Sequence, residues 1–333
     1  MAQSSEAQPQ VIGVLPKASR LAKLLRGRTT ALAILSLSLA LILSVLSPQF
    51  LTSTNLTTIA TGMIYDLLIA AGMTLVLILG GIDLSVGSIL GLTGVITTMA
   101  LQDGASIPAA IAIGLSVAVL CGAINGFAVA YLKIAPFVVT LGMMSIARGI
   151  ATVLTSGYFV SGLPPEYLTI GQGTFLGVPN PVYITLGILL VFHILLKNWK
   201  PLNQAYYVGN NPKAARLSGI RVARLMFVGF VISGLMSGIA AIFMTSRLAM
   251  GFFQFGLGSE LTGIAASVIG GASLNGGSGN ILGTFFGVLL LTTINNGFIL
   301  LQGSPNWQNV VSGGILVAAL VVDAYRRRKE ARE

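Results

Sequence analysis

Charged side chains are scarce in this chain. Asp, Glu, Lys and Arg make up 8% of its 333 residues, whereas soluble domains carry roughly a quarter. The runs Ala31–Leu46, Leu56–Leu79, Ile107–Leu132 and Ile281–Leu301 contain almost none, and each is near the ~20 residues that a helix needs to cross a bilayer. These runs exclude a soluble protein, and because they are continuous rather than alternating they also exclude a membrane β-barrel.

Cysteine and histidine are nearly absent. Cys121 and His193 are single representatives of their types, so an internal disulfide is impossible and no cluster suggests a metal or redox site. The phosphate-binding pattern GxxxxGK[ST] is also missing, as are the HExxH and Ser/His/Asp arrangements of intramembrane enzymes. The sequence therefore predicts neither catalysis nor a bound cofactor or metal in this chain.

The apolar runs predict an all-α polytopic membrane protein with about ten transmembrane helices. An even number of spans places both termini on the same side of the membrane. The expected spans are 30–47, 56–79, 86–101, 107–132, 136–156, 181–196, 225–246, 258–272, 280–301 and 308–323.

The basic residues predict which side this is. With a cytoplasmic N-terminus, all of the 19 Lys and Arg residues except Arg148 and Arg247 fall on the cytoplasmic side, as the positive-inside rule requires. The net charge of +10 thus reflects orientation rather than nucleic-acid binding. The expected organisation is a cytoplasmic tail at 1–29 with an amphipathic helix, a transmembrane domain at 30–324 containing a basic cytoplasmic segment at 197–224, and a basic tail at 325–333.

Short internal echoes suggest two related halves. "GGIDLSVGS" at Gly80–Ser88 is echoed by "GGASLNGGS" at Gly270–Ser278, and "INGF" at Ile124–Phe127 by "NNGF" at Asn295–Phe298. Two halves built on one plan are common in transporters. Since each half would contain five spans, an odd number, the second half would be inverted relative to the first.

The first of these motifs follows the second expected span. Gly80 and Gly81 break the second span, and Asp83 or Ser85 can cap the following helix. Short, glycine-interrupted segments at matching positions indicate a translocation path, although a tight cytoplasmic turn with a capping aspartate remains an alternative. The candidate path residues are Gly80, Gly81, Asp83, Ser85, Gly87, Ser88, Asn275, Asn295 and Asn296.

Two charged residues, Asp66 and Arg148, lie within expected spans. Charges at membrane depth usually face the bundle interior and pair, or they mark a transport pathway. A structural pair or an interfacial position is one interpretation, and a coupling-ion site at Asp66 is the other.

A polar island, "YVGNNPKAARLSGIRVAR" at Tyr207–Arg224, separates two apolar segments. An N-capping Asn, a Pro in the first turn and a Gly stop predict a helix of about two turns at Pro212–Ser218. Too short to span the membrane, it suits docking of a soluble partner, or else an interfacial loop anchored by charge. The predicted docking residues are Asn211, Pro212, Lys213, Ala214, Ala215, Arg216, Leu217 and Gly219.

These motifs resemble a known family. "NNPKAARLSGI" resembles the cytoplasmic coupling segment, or EAA region, of the permease subunits of bacterial ABC importers, with Lys213 where that pattern has an acidic residue, so a salt bridge through that residue is not implied here. "GGIDLSVGS", "GGASLNGGSGNILGT" and "NNGF" are similar to the permeases for ribose, xylose, arabinose and galactose. The resemblance extends from about Ser47 to Val322.

The resemblance implies a permease subunit that forms the translocation path for a monosaccharide in the bacterial inner membrane. Implied partners are a cytoplasmic ABC ATPase that binds ATP and Mg, a second identical or homologous permease, and an external sugar-binding protein. A permease for another small polar solute, such as a nucleoside, an amino acid or a signalling sugar, remains an alternative. So does an ion-coupled secondary transporter, which would need more intramembrane carboxylates than Asp66 alone.

Overall fold

The structure, a computed structural model, describes residues 28–303 continuously and beyond them only Trp307, Val310, Gly313, Gly314, Val317 and Val321. The amphipathic helix predicted within 1–29 and the tail at 325–333 lie outside the described residues. So does most of the span predicted at 308–323.

The regular structure of the described part is helical apart from one short antiparallel hairpin and an isolated antiparallel bridge between Val160 and Gly251. Its elements in chain order are α1 Arg28–Leu46, α2 Ser53–Ile78, α3 Val86–Gln102, α4 Ile107–Ala130, α5 Pro136–Thr155, α6 Pro165–Gln172, β1 Thr174–Phe175, β2 Val178–Pro179, α7 Asn180–Asn198, α8 Lys200–Asn210, α9 Pro212–Leu217, α10 Val222–Leu248, α11 Ser259–Ile269 and α12 Ile281–Leu300.

Seven of these helices, α1, α2, α4, α5, α7, α10 and α12, are long and apolar enough to cross a membrane. Two others, α3 and α11, are apolar but shorter. The 11 residues of α11 extend only about 16 Å at 1.5 Å per residue, about half of the hydrocarbon thickness. The prediction of an all-α polytopic membrane protein is confirmed.

Helix α2 lies at the centre of the bundle, with nearly every residue of its second half buried. It packs against α7, α10, α11 and α12, while α10 also packs against α3 and α4. Glycine lets these helices approach closely. A Cβ added to Gly122 of α4 would lie 2.5 Å from the Phe230 carbonyl oxygen of α10, and one added to Gly72 of α2 would lie 3.0 Å from Ser233 Cα.

One end of the bundle, called here the basic end, carries α8, α9 and the connections that flank them. Its cations are Lys133, Lys197, Lys200, Lys213, Arg216, Arg221 and Arg224. The opposite end carries α6 and the hairpin β1–β2.

The two copies of the longer sequence echo contact each other at the basic end. A Cβ on Gly276 would lie 3.1 Å from Gly80 Cα, and the Gly277 N–H donates to the Ile78 carbonyl at 2.8 Å. Equivalent positions in an inverted repeat would lie at opposite ends of the bundle. The expectation that this echo marks equivalent positions of two inverted halves is therefore wrong.

Candidate docking site and translocation path

The polar island forms the short helix that its sequence predicts. Asn211 caps α9, because its Oδ1 accepts the N–H groups of Lys213 at 3.1 Å and Ala214 at 3.0 Å. Pro212 occupies the first turn. Gly219 stops the helix in the left-handed region, with φ of +82°, where glycine is favoured.

The exposed face of α9 differs in one residue from the predicted docking surface. Leu217 is 90% exposed, whereas Ala215 is only 4% exposed and belongs to the main core cluster. Ala215 therefore fastens α9 to the bundle, and it contributes to the predicted docking site only through the recess beside α9, which it helps to line. The accessible face consists of Lys213, Ala214, Arg216 and Leu217.

Helix α8 fixes α9 against the membrane helices. Leu202, Ala205 and Val208 form its buried stripe, and the Tyr206 hydroxyl donates to the Gly279 carbonyl at 3.0 Å. Beside α9 lies a recess of about 370 Å³ whose lining includes Tyr207 and Ala214. The basic end therefore presents an exposed side chain, Leu217, next to a recess, and a docking partner could contact both.

The last turn of α8 is in backbone contact with two other elements. A Cβ on Gly209 would lie 1.8 Å from the Ile78 carbonyl oxygen and 2.3 Å from the Gly277 nitrogen. We call this contact, formed by Ile78, Gly80, Gly209, Gly276 and Gly277, the glycine junction. It joins the segment next to α9 to the end of α2 and to the loop after α11. We therefore expect a displacement of α9 to shift both the end of α2 and this loop. Gly209 was missed from the sequence, where it is one of 41 glycines.

Asp83 and Ser85 lie in a buried network rather than at the surface of a path. Asp83 Oδ1 accepts from the Ser85 N–H at 3.0 Å and hydroxyl at 2.6 Å, and Oδ2 accepts from the Ser233 hydroxyl at 2.8 Å. Asn125 donates to Ser85 Oγ at 2.8 Å. The expected cap is not formed, since Ser85 occupies the N-cap position of α3 without a side-chain capping bond and the Asp83 carboxylate ties the loop to α10 instead.

The beginning of α3 meets the connection that leads into α11. A Cβ on Gly87 would lie 2.1 Å from the Gly256 carbonyl oxygen. Beside this crossing lies a cleft of about 510 Å³, whose lining includes Ser88, Arg148 and Glu260. Of the predicted path residues, Ser88 is the one that lines this cleft.

The three asparagines of the second half do not converge. Asn296 forms a reciprocal amide pair with Asn55, with N–O distances of 3.1 and 2.7 Å, which links α12 to α2. Asn295 is half-buried next to it, and Asn275 is exposed at the basic end. A paired amide between two packed helices serves their association.

Asp66 and Arg148 do not form a pair. Arg148 Nη1 donates to the carbonyls of Phe253 and, at 2.9 Å, Phe255, and the charge acting on it is that of Glu260. Asp66 is partly buried in α2, and no charged group of the described chain acts on it. Glu260 was missed, although an acidic residue at the start of an apolar segment was a usable signal.

The family model described as "Branched-chain amino acid transport system / permease component" matches residues 55–320. The chain belongs to this permease family. The resemblance inferred from the motifs of the sequence is thereby confirmed.

Similar curated proteins carry more specific names. The ribose import permease protein RbsC of Bacillus subtilis is 38% identical over 295 residues, which cover 88% of this chain and 91% of that protein. The L-arabinose transport system permease protein AraH of Escherichia coli is 36% identical over 281 residues, 84% of this chain and 86% of that protein. A probable ABC transporter permease protein of Sinorhizobium fredii, y4mJ, is 36% identical over 303 residues, 90% of this chain and 91% of that protein. No solved structure gives a significant match.

These matches assign the permease to the bacterial ABC importers. It is a membrane-spanning subunit of a bacterial ABC importer, located in the cytoplasmic (inner) membrane, and it is a transport subunit rather than an enzyme.

Proposed function

We propose that the permease forms the translocation path for a monosaccharide and that a separate ATPase drives it by docking on α9. The main support for ATPase docking is the accessible face of α9, where Leu217 is 90% exposed. The glycine junction links the segment next to this helix to the end of α2 and to the loop after α11. A large exposed apolar side chain between cations suits a soluble partner. The names of the ribose and arabinose relatives favour a monosaccharide over the amino acids in the description of the family model.

The proposed topology has ten spans with both termini and the basic end in the cytoplasm. Seven described helices supply long spans, and the short α3 and α11 supply two more. The tenth is assigned to 308–323, from the sequence alone. Positive charge at one end of the bundle supports the orientation.

We also propose that the halves are related as an inverted repeat, in a different register from the longer echo. Asn125–Phe127 and Asn296–Phe298 both read NGF and are 171 positions apart, as are the Gly-Ser pairs at Gly87 and Gly258. This offset brings α2, α3 and α4 onto α10, α11 and α12.

Helix packing supports this pairing. In the described region α10 packs on α3 and α4 as α2 packs on α11 and α12. Helices α2 and α10 run antiparallel, because Gly72 lies against Ser233 whereas Leu79, further along α2, lies against the earlier Gly229. Opposite directions are what an inverted repeat requires.

The proposed partners follow from the two ends of the bundle. An ATPase that binds ATP and Mg docks at the basic end, a second identical or homologous permease completes the path, and an external sugar-binding protein docks at the opposite end. The outer hairpin offers that protein Phe175 and Leu176, which are 62% and 84% exposed.

The test is co-purification of an ATPase with the tagged permease from its native membrane. We expect the wild type to retain an ATP-hydrolysing subunit and Leu217→Glu to lose at least about 90% of it, because burying a carboxylate in an apolar contact costs several kcal/mol. Leu217 is exposed, so the change leaves the fold of the permease intact.

The matched control is Leu176→Glu, an equally exposed leucine at the opposite end. This variant should retain the ATPase. A wild type that retains no ATPase, or a Leu217→Glu variant that retains it fully, contradicts docking at α9.

A further inference from the structure

The cleft beside Arg148 collects polar side chains from three elements. Helix α5 contributes Ser145, Arg148 and Thr152, which are three and four residues apart and therefore share one helix face. The first turn of α3 contributes Ser88, and the first turn of α11 contributes Glu260. The volume of about 510 Å³ is within the usual range for small-molecule sites, about 300–1,000 Å³.

These groups retain unused hydrogen-bonding capacity. Arg148 uses Nη1 for two carbonyls, and within residues 28–303 its Nε and Nη2 have no hydrogen-bond acceptor. Ser145 donates to the Leu141 carbonyl at 3.2 Å and Thr152 to that of Arg148 at 2.9 Å, which leaves both hydroxyl oxygens able to accept.

Among the five polar residues of the cleft, Ser88 gives the strongest indication of a ligand. Its residue is 1% exposed, yet it lines the cleft, and its hydroxyl has no hydrogen-bond partner in the described part of the chain. The Ser88 oxygen is open to the cleft rather than sealed among protein atoms, and at membrane depth such polar groups mark transport pathways. A solute hydroxyl in the cleft would satisfy it.

The charge of the cleft restricts the class of solute. One guanidinium and one carboxylate face the same space, so an anionic solute meets Glu260 and a cationic solute meets Arg148. A neutral molecule with several hydroxyl groups can donate to Glu260, Ser145 and Thr152 and accept from Arg148 and Ser88. Each group then gains a partner and no uncompensated charge is buried.

We propose that this cleft, lined by Ser88, Ser145, Arg148, Thr152 and Glu260, is a transient binding site for a neutral polyhydroxylated solute during translocation. The site deepens the proposed function and rests on it. It also replaces the asparagines of the second half and Asp83 as the solute-contacting groups.

The test uses protection of a cysteine in the cleft. Cys121 is the one cysteine and is buried, so it is changed to Ala. Val153→Cys, at a cleft-lining position outside the five assigned groups, is then labelled with a water-soluble thiol reagent in the purified permease–ATPase complex. We expect D-ribose at high millimolar concentration to slow labelling saturably. Equal concentrations of the anionic ribonate and the cationic glucosamine should protect far less.

Two further variants tie the protection to the assigned groups. Ser88→Ala and Glu260→Gln, each combined with the cysteine reporter, should raise the ribose concentration for half-protection by about three- to tenfold, the cost of one lost hydrogen bond. Glu260→Gln should also let ribonate protect, because Arg148 is then the uncompensated charge. Arg148 is left unchanged because it also holds the Phe253 and Phe255 carbonyls.

The control reporter is Ser161→Cys, an exposed position in the connection between α5 and α6 and outside the cleft, which ribose should not protect. The proposal is overturned if ribose leaves the labelling rate of Val153→Cys unchanged, if it protects both reporters alike, or if neither cleft variant alters its protection. Equal protection by the charged sugars overturns the neutral class. ATPase co-purification reports on the proposed function separately, so failure of the cleft is distinguishable from failure of the importer assignment.

Discussion

Gly209→Ala is expected to lower solute uptake at least tenfold, although it adds a single methyl group. The new Cβ would lie 1.8 Å from the Ile78 carbonyl oxygen, and a backbone oxygen at the end of the central helix cannot move without shifting α2. Overpacking a fixed contact costs about 1–3 kcal/mol or more, and here the strain falls on the glycine junction. We expect at least a tenfold loss of ATP-driven uptake, a ratio equal to about 1.4 kcal/mol, in proteoliposomes containing the complete importer.

Gly187→Ala in α7 is the matched control, because the Cβ that it adds lies more than 4 Å from every described atom beyond its chain neighbours and the adjacent backbone of its own helix. It should transport like the wild type and melt at the same or a slightly higher temperature, since Ala favours helices over Gly by about 1 kcal/mol. Normal uptake by Gly209→Ala would show that the junction neither packs as tightly as described nor transmits the motion of α9.

Asp83→Ala should destabilise the folded permease by roughly 3 kcal/mol or more. The change leaves the hydroxyls of Ser85 and Ser233 and the Ser85 N–H without their acceptor, and each buried unsatisfied donor costs about 1–3 kcal/mol. Thermal unfolding in detergent, followed by loss of the monodisperse peak on size exclusion, measures the effect.

Two other substitutions distinguish the loss of the hydrogen-bond network from the loss of a negative charge. Asp83→Asn keeps the shape of the side chain and one carbonyl acceptor, so this variant should lose less stability than Asp83→Ala. Asp103→Ala removes an exposed carboxylate at the end of α3 and should change stability by no more than about 0.5 kcal/mol. If Asp83→Ala unfolds at the temperature of Asp103→Ala, the carboxylate does not hold the loop to α10.

Local patterns predicted the helices well. Capping Asn211 and stopping Gly219 act within a few residues, so α9 could be placed from its own sequence. The long apolar runs likewise located α2, α4, α5 and α12, because the bilayer imposes both their length and their composition.

Contacts between distant segments could not be predicted in the same way. That Ala215 is buried and Leu217 exposed depends on how α8 sits against α2, and that Asp83 bonds Ser233 depends on the approach of α10. Gly209 has no local signature, since its role is set by Ile78 and Gly277 from two other parts of the chain. A structural pair was one of the interpretations offered for Asp66 and Arg148. The sequence places both charges within spans, but it does not show that the charge acting on Arg148 is that of Glu260.

The most direct test of the central claim is solute uptake by the purified permease in proteoliposomes, with and without its ATPase. If the ATPase drives transport through α9, we expect uptake of a monosaccharide, tested with D-ribose and L-arabinose, only when the permease, the ATPase, the binding protein and ATP are all present. No uptake is expected when Leu217→Glu replaces the wild type. Uptake by the permease alone, driven by an ion gradient and lost in Asp66→Asn, would contradict the account and make the chain a secondary transporter.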